Sequence, residues 1–123
     1  MEGFTDKIRK YLNIKTPNKN EDDYTSVIIT SNQLIRISKM LPENYNSGHN
    51  RAPSFKECLE IARKYPEVIF GCYIIGKRRF DERISIDTIY VPKKYTELIA
   101  ILKSFRPDEV DEESSSVVKF WWD

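Results

Sequence analysis

Residues 67–91, EVIFGCYIIGKRRFDERISIDTIYV, set two runs of β-branched and aromatic residues on either side of a strongly charged middle. Strand formers separated by a polar turn fold back on themselves, which predicts a β-hairpin with its strands in the core and its tip in water. In the first strand Val68, Phe70, Cys72 and Ile74 point one way and Ile69, Gly71, Tyr73 and Ile75 the other. Both sets are apolar, the pattern of a central strand covered on most of both faces. In the returning strand Ile84, Ile86 and Tyr90 oppose Arg83, Ser85 and Asp87, until Ile89 and Val91 make the end apolar on both sides. Gly71, bare within a bulky run, marks a bulge or the close approach of a helix.

A hairpin of this kind needs neighbours to cover it, and the flanking sequence supplies them. Phe4, Ile8, Tyr11 and Leu12 form one apolar stripe of a short helix, with Lys7, Arg9 and Lys10 off the stripe. The expected role is packing on its own domain; the alternative is a basic helix touching a membrane surface or a partner. TPNKNEDD, residues 16–23, reads as an exposed linker. YTSVIIT, residues 24–30, is a short strand, and Thr30 or Ser31 caps a helix whose inward side is Leu34, Ile37 and Leu41 with Met40. Pro42 ends that helix. Ser54 and Glu57 form a reciprocal capping pair opening a helix with Phe55, Cys58, Leu59 and Ala62 inward, stopped by Pro66. After Pro92 a last helix turns Tyr95, Leu98, Ile99, Leu102 and Phe105 inward before Arg106-Pro107.

The predicted fold is α+β, a mainly antiparallel sheet of about four strands built around the hairpin at 67–91 and packed with three to four helices. An N-terminal helix and linker over 1–23 precede a single domain over 24–123, which ends in an acidic connector at 108–116 and a terminal strand at 117–122. That strand, VVKFWW, is preferred to a docking tail because two tryptophans left in water are costly to solubility. At 123 residues the chain buries enough surface to fold without a metal or disulfide. Cys58 and Cys72 lack C-x-x-C spacing and sit at apolar positions, as buried thiols do. No run of about 18 apolar residues and no signal-like apolar core occurs, so the expected setting is intracellular, cytoplasmic, with no membrane span.

The net charge of +1 hides an asymmetry. Residues 25–107 carry fourteen Lys plus Arg against eight Asp plus Glu, whereas 108–123 hold Lys119 against six acids. A basic body points toward nucleic acid, and Lys77, Arg78, Arg79 and Arg83 around Phe80 at the hairpin tip are the candidate nucleic-acid-binding residues. Asp81 and Glu82 interrupt them, as in an ordinary solvated turn. A second candidate is the loop ENYNSGHNRAP, residues 43–53, whose His49 and Arg51 suit an anion or a partner. A third is the aromatic end, Phe120, Trp121 and Trp122, whose side chains are the type that anchor protein interfaces.

Catalytic patterns are missing. There is no glycine-rich phosphate loop, no H-E-x-x-H and no second histidine for a metal site, so no catalytic residue, metal or cofactor is assigned. The succession of helix, Pro66, a glycine-bearing strand through Gly76, a strand ending in Val91-Pro92 and another helix loosely resembles the JAMM or MPN domain core over roughly a third of the chain. Catalytic membership would imply a glutamate at a fixed distance before the glycines and a later His-x-His-Pro. Glu67 stands one residue out of register and no such motif follows, so no catalytic residue carries over. The expected function is a small non-enzymatic protein-interaction or regulatory protein with a protein partner or a second copy of itself; the alternative is a nucleic-acid-binding module using the basic tip. Abundant Ile, Lys, Tyr and Asn beside the single Gln33 fit an AT-rich coding genome such as that of a virus or mobile element.

Overall fold

In a computed structural model that describes residues 2–123, four helices and five strands follow one another along the chain. They are α1 (Phe4–Tyr11), β1 (Tyr24–Thr30), α2 (Ser31–Ser38), α3 (Phe55–Lys64), β2 (Ile69–Ile75), β3 (Arg83–Pro92), α4 (Thr96–Lys103), β4 (Glu109–Ser114) and β5 (Val117–Trp121). The strands make one sheet in the order β1-β2-β3-β5-β4, antiparallel at every step. The class is the expected α+β, with one strand more than about four.

Local chemistry explains the helix starts. The Thr30 hydroxyl accepts from the Gln33 N–H at 3.1 Å while the Gln33 side chain accepts from the Thr30 N–H at 2.9 Å. Ser54 and Glu57 repeat the reciprocal arrangement at α3. Each box satisfies donors that a bare helix end leaves orphaned, a contribution of about 1 kcal/mol.

All four helices pack on one face of the sheet. Ile8, Leu34, Ile37, Phe55, Cys58, Ala62, Leu98 and Leu102 join one core with Ile29, Phe70, Cys72, Ile74, Ile84, Ile86, Ile89, Val91 and Phe120. β2 is the expected central strand, covered on most of both faces. On the side away from the helices Gly71, Tyr73 and Ile75 are buried although no helix crosses them, and only Ile69, at 37%, is exposed.

The phase of β3 also differs from simple alternation. Gly71 pairs with Thr88 while the next residue, Cys72, pairs with Ile86, so Asp87 is an extra residue bulging from the ladder. A bulge shifts the side-chain alternation by one. Ile84 and Ile86 before it, and Ile89 and Val91 after it, thus share the core face, and Tyr90 moves to the open one. Gly71 is required at this point because a Cβ there would lie 2.8 Å from the Thr88 Cβ.

Two segments expected as connectors are structured. The acidic stretch at 108–116 contains β4, an edge strand with every side chain exposed, paired to β5 across a turn at Ser115 and Ser116. Val110 is its single apolar residue, so pairing with β5 rather than hydrophobic alternation makes it a strand. Within the linker at 16–23, Asp23 is only 3% exposed. Its carboxylate meets Arg9, itself 1% exposed although it was placed off the apolar stripe of α1, in a 2.6 Å ion pair. Arg9 also donates to the Thr25 hydroxyl at 3.0 Å, so the N-terminal helix is bound to the sheet by a buried charge pair beside Ile8.

Candidate protein-docking face

The face of the sheet away from the helices is built from cross-strand rows, because residues paired directly across antiparallel strands project to the same side; Tyr73, Ile75, Ser85 and Thr88 on it are buried. One row runs Ile28, Gly71, Thr88, Trp121, Glu109, and the next runs Thr30, Ile69, Tyr90, Lys119, Asp111. A third holds Ser26, Tyr73 and Ser85, and a fourth Tyr24, Ile75 and Arg83. Ile28 is 62% exposed and Tyr24 43%, while Tyr90 and Trp121 are half-buried. Isolated exposed apolar residues are ordinary, but Ile28 lies diagonally beside Ile69, which pairs directly with Tyr90, so these three adjoin on one side of the sheet.

The missing side chain at Gly71 leaves a trough of about 500 Å³ between Ile28, Thr88 and Tyr90, with Ser26 and Asp87 on its walls. Toward β1 and β2 the face is aromatic and aliphatic. Toward β4 it becomes acidic, with Glu109 and Asp111 beside Trp121 and Lys119. An apolar surface flanked by carboxylates suits a partner with an apolar patch and a basic margin.

Of the sequence-predicted site residues only Trp121 and Arg83 stand in these rows, and two of the predicted sites meet each other. The His49 Nε2–H donates to the Trp122 carbonyl at 3.1 Å, and its Nδ1 lies 2.8 Å from the Tyr73 hydroxyl. A carbonyl can only accept, so the proton on Nε2 and the hydroxyl hydrogen toward Nδ1 satisfy both ring nitrogens. The Asn50 amide donates to the Asp123 carbonyl, and Arg51 pairs with Asp108 at 3.2 Å while donating to the Arg106 carbonyl at 3.3 Å. The 43–53 loop and the C-terminal stretch, considered separately as partner sites, are joined to each other. Phe120 and Trp122 are core residues with no surface to offer a partner, which corrects their expected role. The Trp122 indole N–H donates to the Phe105 carbonyl at 3.1 Å, satisfying its only polar atom. Trp121 alone of the aromatic end reaches the open face.

The same loop completes β3. β5 pairs only with Thr88–Pro92, leaving the first half of the β3 edge without a strand. There the Tyr45 hydroxyl accepts from the Ile84 N–H at 2.9 Å and donates to the Ile84 carbonyl at 2.7 Å, and Ser47 donates to that carbonyl at 2.6 Å. These side chains stand in for the absent ladder.

At the hairpin tip every candidate cation contacts a carboxylate. Lys77 lies 3.1 Å from Asp6, Arg78 3.5 Å from Asp23, Arg79 3.3 Å from Asp81, and Arg83 2.7 Å from Asp81. Arg78 also donates to the Lys19 and Pro17 carbonyls at 3.0 and 3.2 Å, and Glu82 accepts from the Thr5 hydroxyl at the start of α1. The tip thus clamps the N-terminal segment. Burial by itself would raise the Asp23 carboxyl, but hydrogen bonds from Arg9 and the Arg78 backbone, with both positive charges, hold it below the usual carboxylate range. Phe80 stands fully exposed among these pairs. Burial pushes both thiols, Cys58 and Cys72, above their ordinary values, which removes the thiolate a nucleophile needs.

Among the described residues no group of three or more His, Cys, Asp or Glu side chains is placed to hold a metal, and no helix is long and apolar enough to cross a membrane. Comparison with known proteins gives no match to any family, curated protein or solved structure.

The residues missed by sequence reasoning are Tyr24, Ile28, Ile69 and Tyr90. Ile28 carried a signal, since it shares its side of β1 with Ser26 and Thr30 where a polar residue is expected. Tyr90 carried none, because the bulge at Asp87 sets which face it occupies.

Proposed function

We propose that this protein is a non-enzymatic interaction or regulatory protein that holds a protein partner on the open face of its sheet. The observation that carries the reading is the exposure of Ile28 and Ile69, adjoining the half-buried Tyr90 and Trp121, on a face that no helix covers. Fully burying one such aliphatic or aromatic side chain contributes about 1.5–3 kcal/mol, so a few anchors suffice for a regulatory affinity. The acidic margin at Glu109 and Asp111 gives the contact its polarity, favouring a basic rim on the partner.

The test is site-specific photo-crosslinking in lysate of the native host. A photoreactive residue at Ile69 or Trp121 should give one discrete protein adduct, and one at Lys56 on the exposed side of α3 should give none. Charge reversal at Glu109 and Asp111 should abolish the adduct while the circular dichroism spectrum stays unchanged. Equal crosslinking from both faces, or insensitivity to the charge reversal, overturns the reading. Adducts that disappear on nuclease treatment point instead to nucleic acid, whose one favourable observation is the fully exposed Phe80. In that case binding falls with salt by about 0.9 log units per log unit for each duplex phosphate neutralised.

A further inference from the structure

We infer that the protein forms a two-fold dimer by pairing β1 with β1 of a second copy, joining two sheets into one continuous sheet. The inference goes beyond the docking face, because it uses the backbone edge of β1 rather than the side chains above it. The two edges of the sheet are built differently. β4 carries Glu109, Asp111, Glu112 and Glu113 and a register irregularity between Glu112 and Ser114, the features by which natural sheets discourage edge pairing. β1, YTSVIIT, has no charge, no proline and no glycine, and its register with β2 is unbroken over seven pairs. An uncharged, regular edge with unpaired backbone groups is a template for another strand.

A second copy of β1 fits this edge best. Antiparallel self-pairing centred on Val27 sets Val27 beside its own symmetry mate, Ser26 beside Ile28 of the second copy, Thr25 beside Ile29 and Tyr24 beside Thr30. No charges meet, and apolar residues meet small or β-branched ones. The contact is isologous, so it closes at two copies. Pairing β1 with β4 of another copy would instead set carboxylates along an apolar strand and extend without closure. Seven-residue edges bury less than the roughly 1,000 Å² of a stable interface, so the dimer is of the weak, concentration-dependent kind.

Sedimentation equilibrium of the full chain over about 5–500 µM tests this. The weight-average mass should rise from 14.5 kDa toward twice that value across the range. Ser26→Lys with Ile28→Lys puts like charges side by side across the two-fold and should hold the protein monomeric throughout. Ser26→Glu with Ile28→Lys puts opposite charges there and should restore the dimer; matching circular dichroism and melting curves establish that each variant is folded. A wild-type protein that stays monomeric, a dimer indifferent to the paired lysines, or a folded charge-opposed variant that fails to associate overturns the inference. Trp121→Ala, on the open face away from β1, should leave the dimer intact, so loss of partner capture and loss of dimer are read separately.

Discussion

Replacing Asp23 by asparagine keeps its shape and removes its charge, leaving the Arg9 guanidinium buried at 1% exposure without a carboxylate. Breaking one side of a buried pair typically costs about 3–5 kcal/mol, because the remaining charge has neither water nor counter-charge. Arg9→Met is expected to cost less, about 1–3 kcal/mol. Asp23 then still receives the Arg78 backbone N–H at 3.1 Å and faces its guanidinium at 3.5 Å. The double variant should cost clearly less than the sum of the two, with a coupling of about 2 kcal/mol, since it leaves no stranded cation.

Urea denaturation with both midpoint and slope measured gives these values. For a chain of this size each kcal/mol moves the melting temperature by about 3–5 °C, so Asp23→Asn should melt about 10–20 °C lower. The pH dependence follows from the depressed Asp23 carboxyl. Its stabilising contribution is complete above the unfolded value near 3.9 and is lost as pH falls through the lower folded value. Wild type should therefore lose stability below about pH 4 more steeply than Asp23→Asn. A cost under about 1 kcal/mol for Asp23→Asn, or strict additivity in the double variant, would refute the account of Asp23 as the principal counter-charge of Arg9.

Two further outcomes test the packing. Trp122→Ala should cost about 3–5 kcal/mol by urea denaturation, against about 1 kcal/mol or less for Trp121→Ala, since only the first empties a core position. Gly71→Ala should cost about 1–3 kcal/mol through collision with Thr88, and combining it with Thr88→Gly should cost less than the sum of the two changes.

The hairpin, the capping pair of Ser54 and Glu57, and the inward faces of α2, α3 and α4 were legible because each rests on local chemistry or on a repeat within one element; the start of α2 stayed open between Thr30 and Ser31, which Gln33 decides by closing the box on Thr30. What escaped depends on pairing between distant residues. β4 has no apolar alternation and becomes a strand only when β5 lies beside it. Arg9 looks solvated until Asp23, fourteen residues away, supplies its counter-charge. The 43–53 loop and the aromatic end each looked like a surface seeking a partner, and each is the other's partner through His49, Asn50 and Arg51. The cations of the tip drew attention for their charge, yet the acids that pair with them come from α1 for Lys77, and from the linker and the turn itself for the arginines. The face away from the helices was illegible for a related reason: a strand apolar on both sides looks the same whether a helix or only neighbouring side chains cover its second side.

The bulge at Asp87 makes β3 a strand with two phases, and this separates tolerance of substitution from tolerance of changes in length. A replaced side chain at Asp87 alters one position. Deleting that residue would rotate everything from Thr88 to Pro92 by half a period, sending Ile89 and Val91 into water and Thr88 and Tyr90 into the core. The strand would also lose its alignment with β5, whose pairing begins at Thr88. Descendants of this chain should therefore vary freely in what stands at the bulge and hardly at all in the spacing from Ile86 to Ile89. Gains and losses of residues are expected instead at the Ser115 and Ser116 turn, where the chain is exposed and a change in length flips nothing.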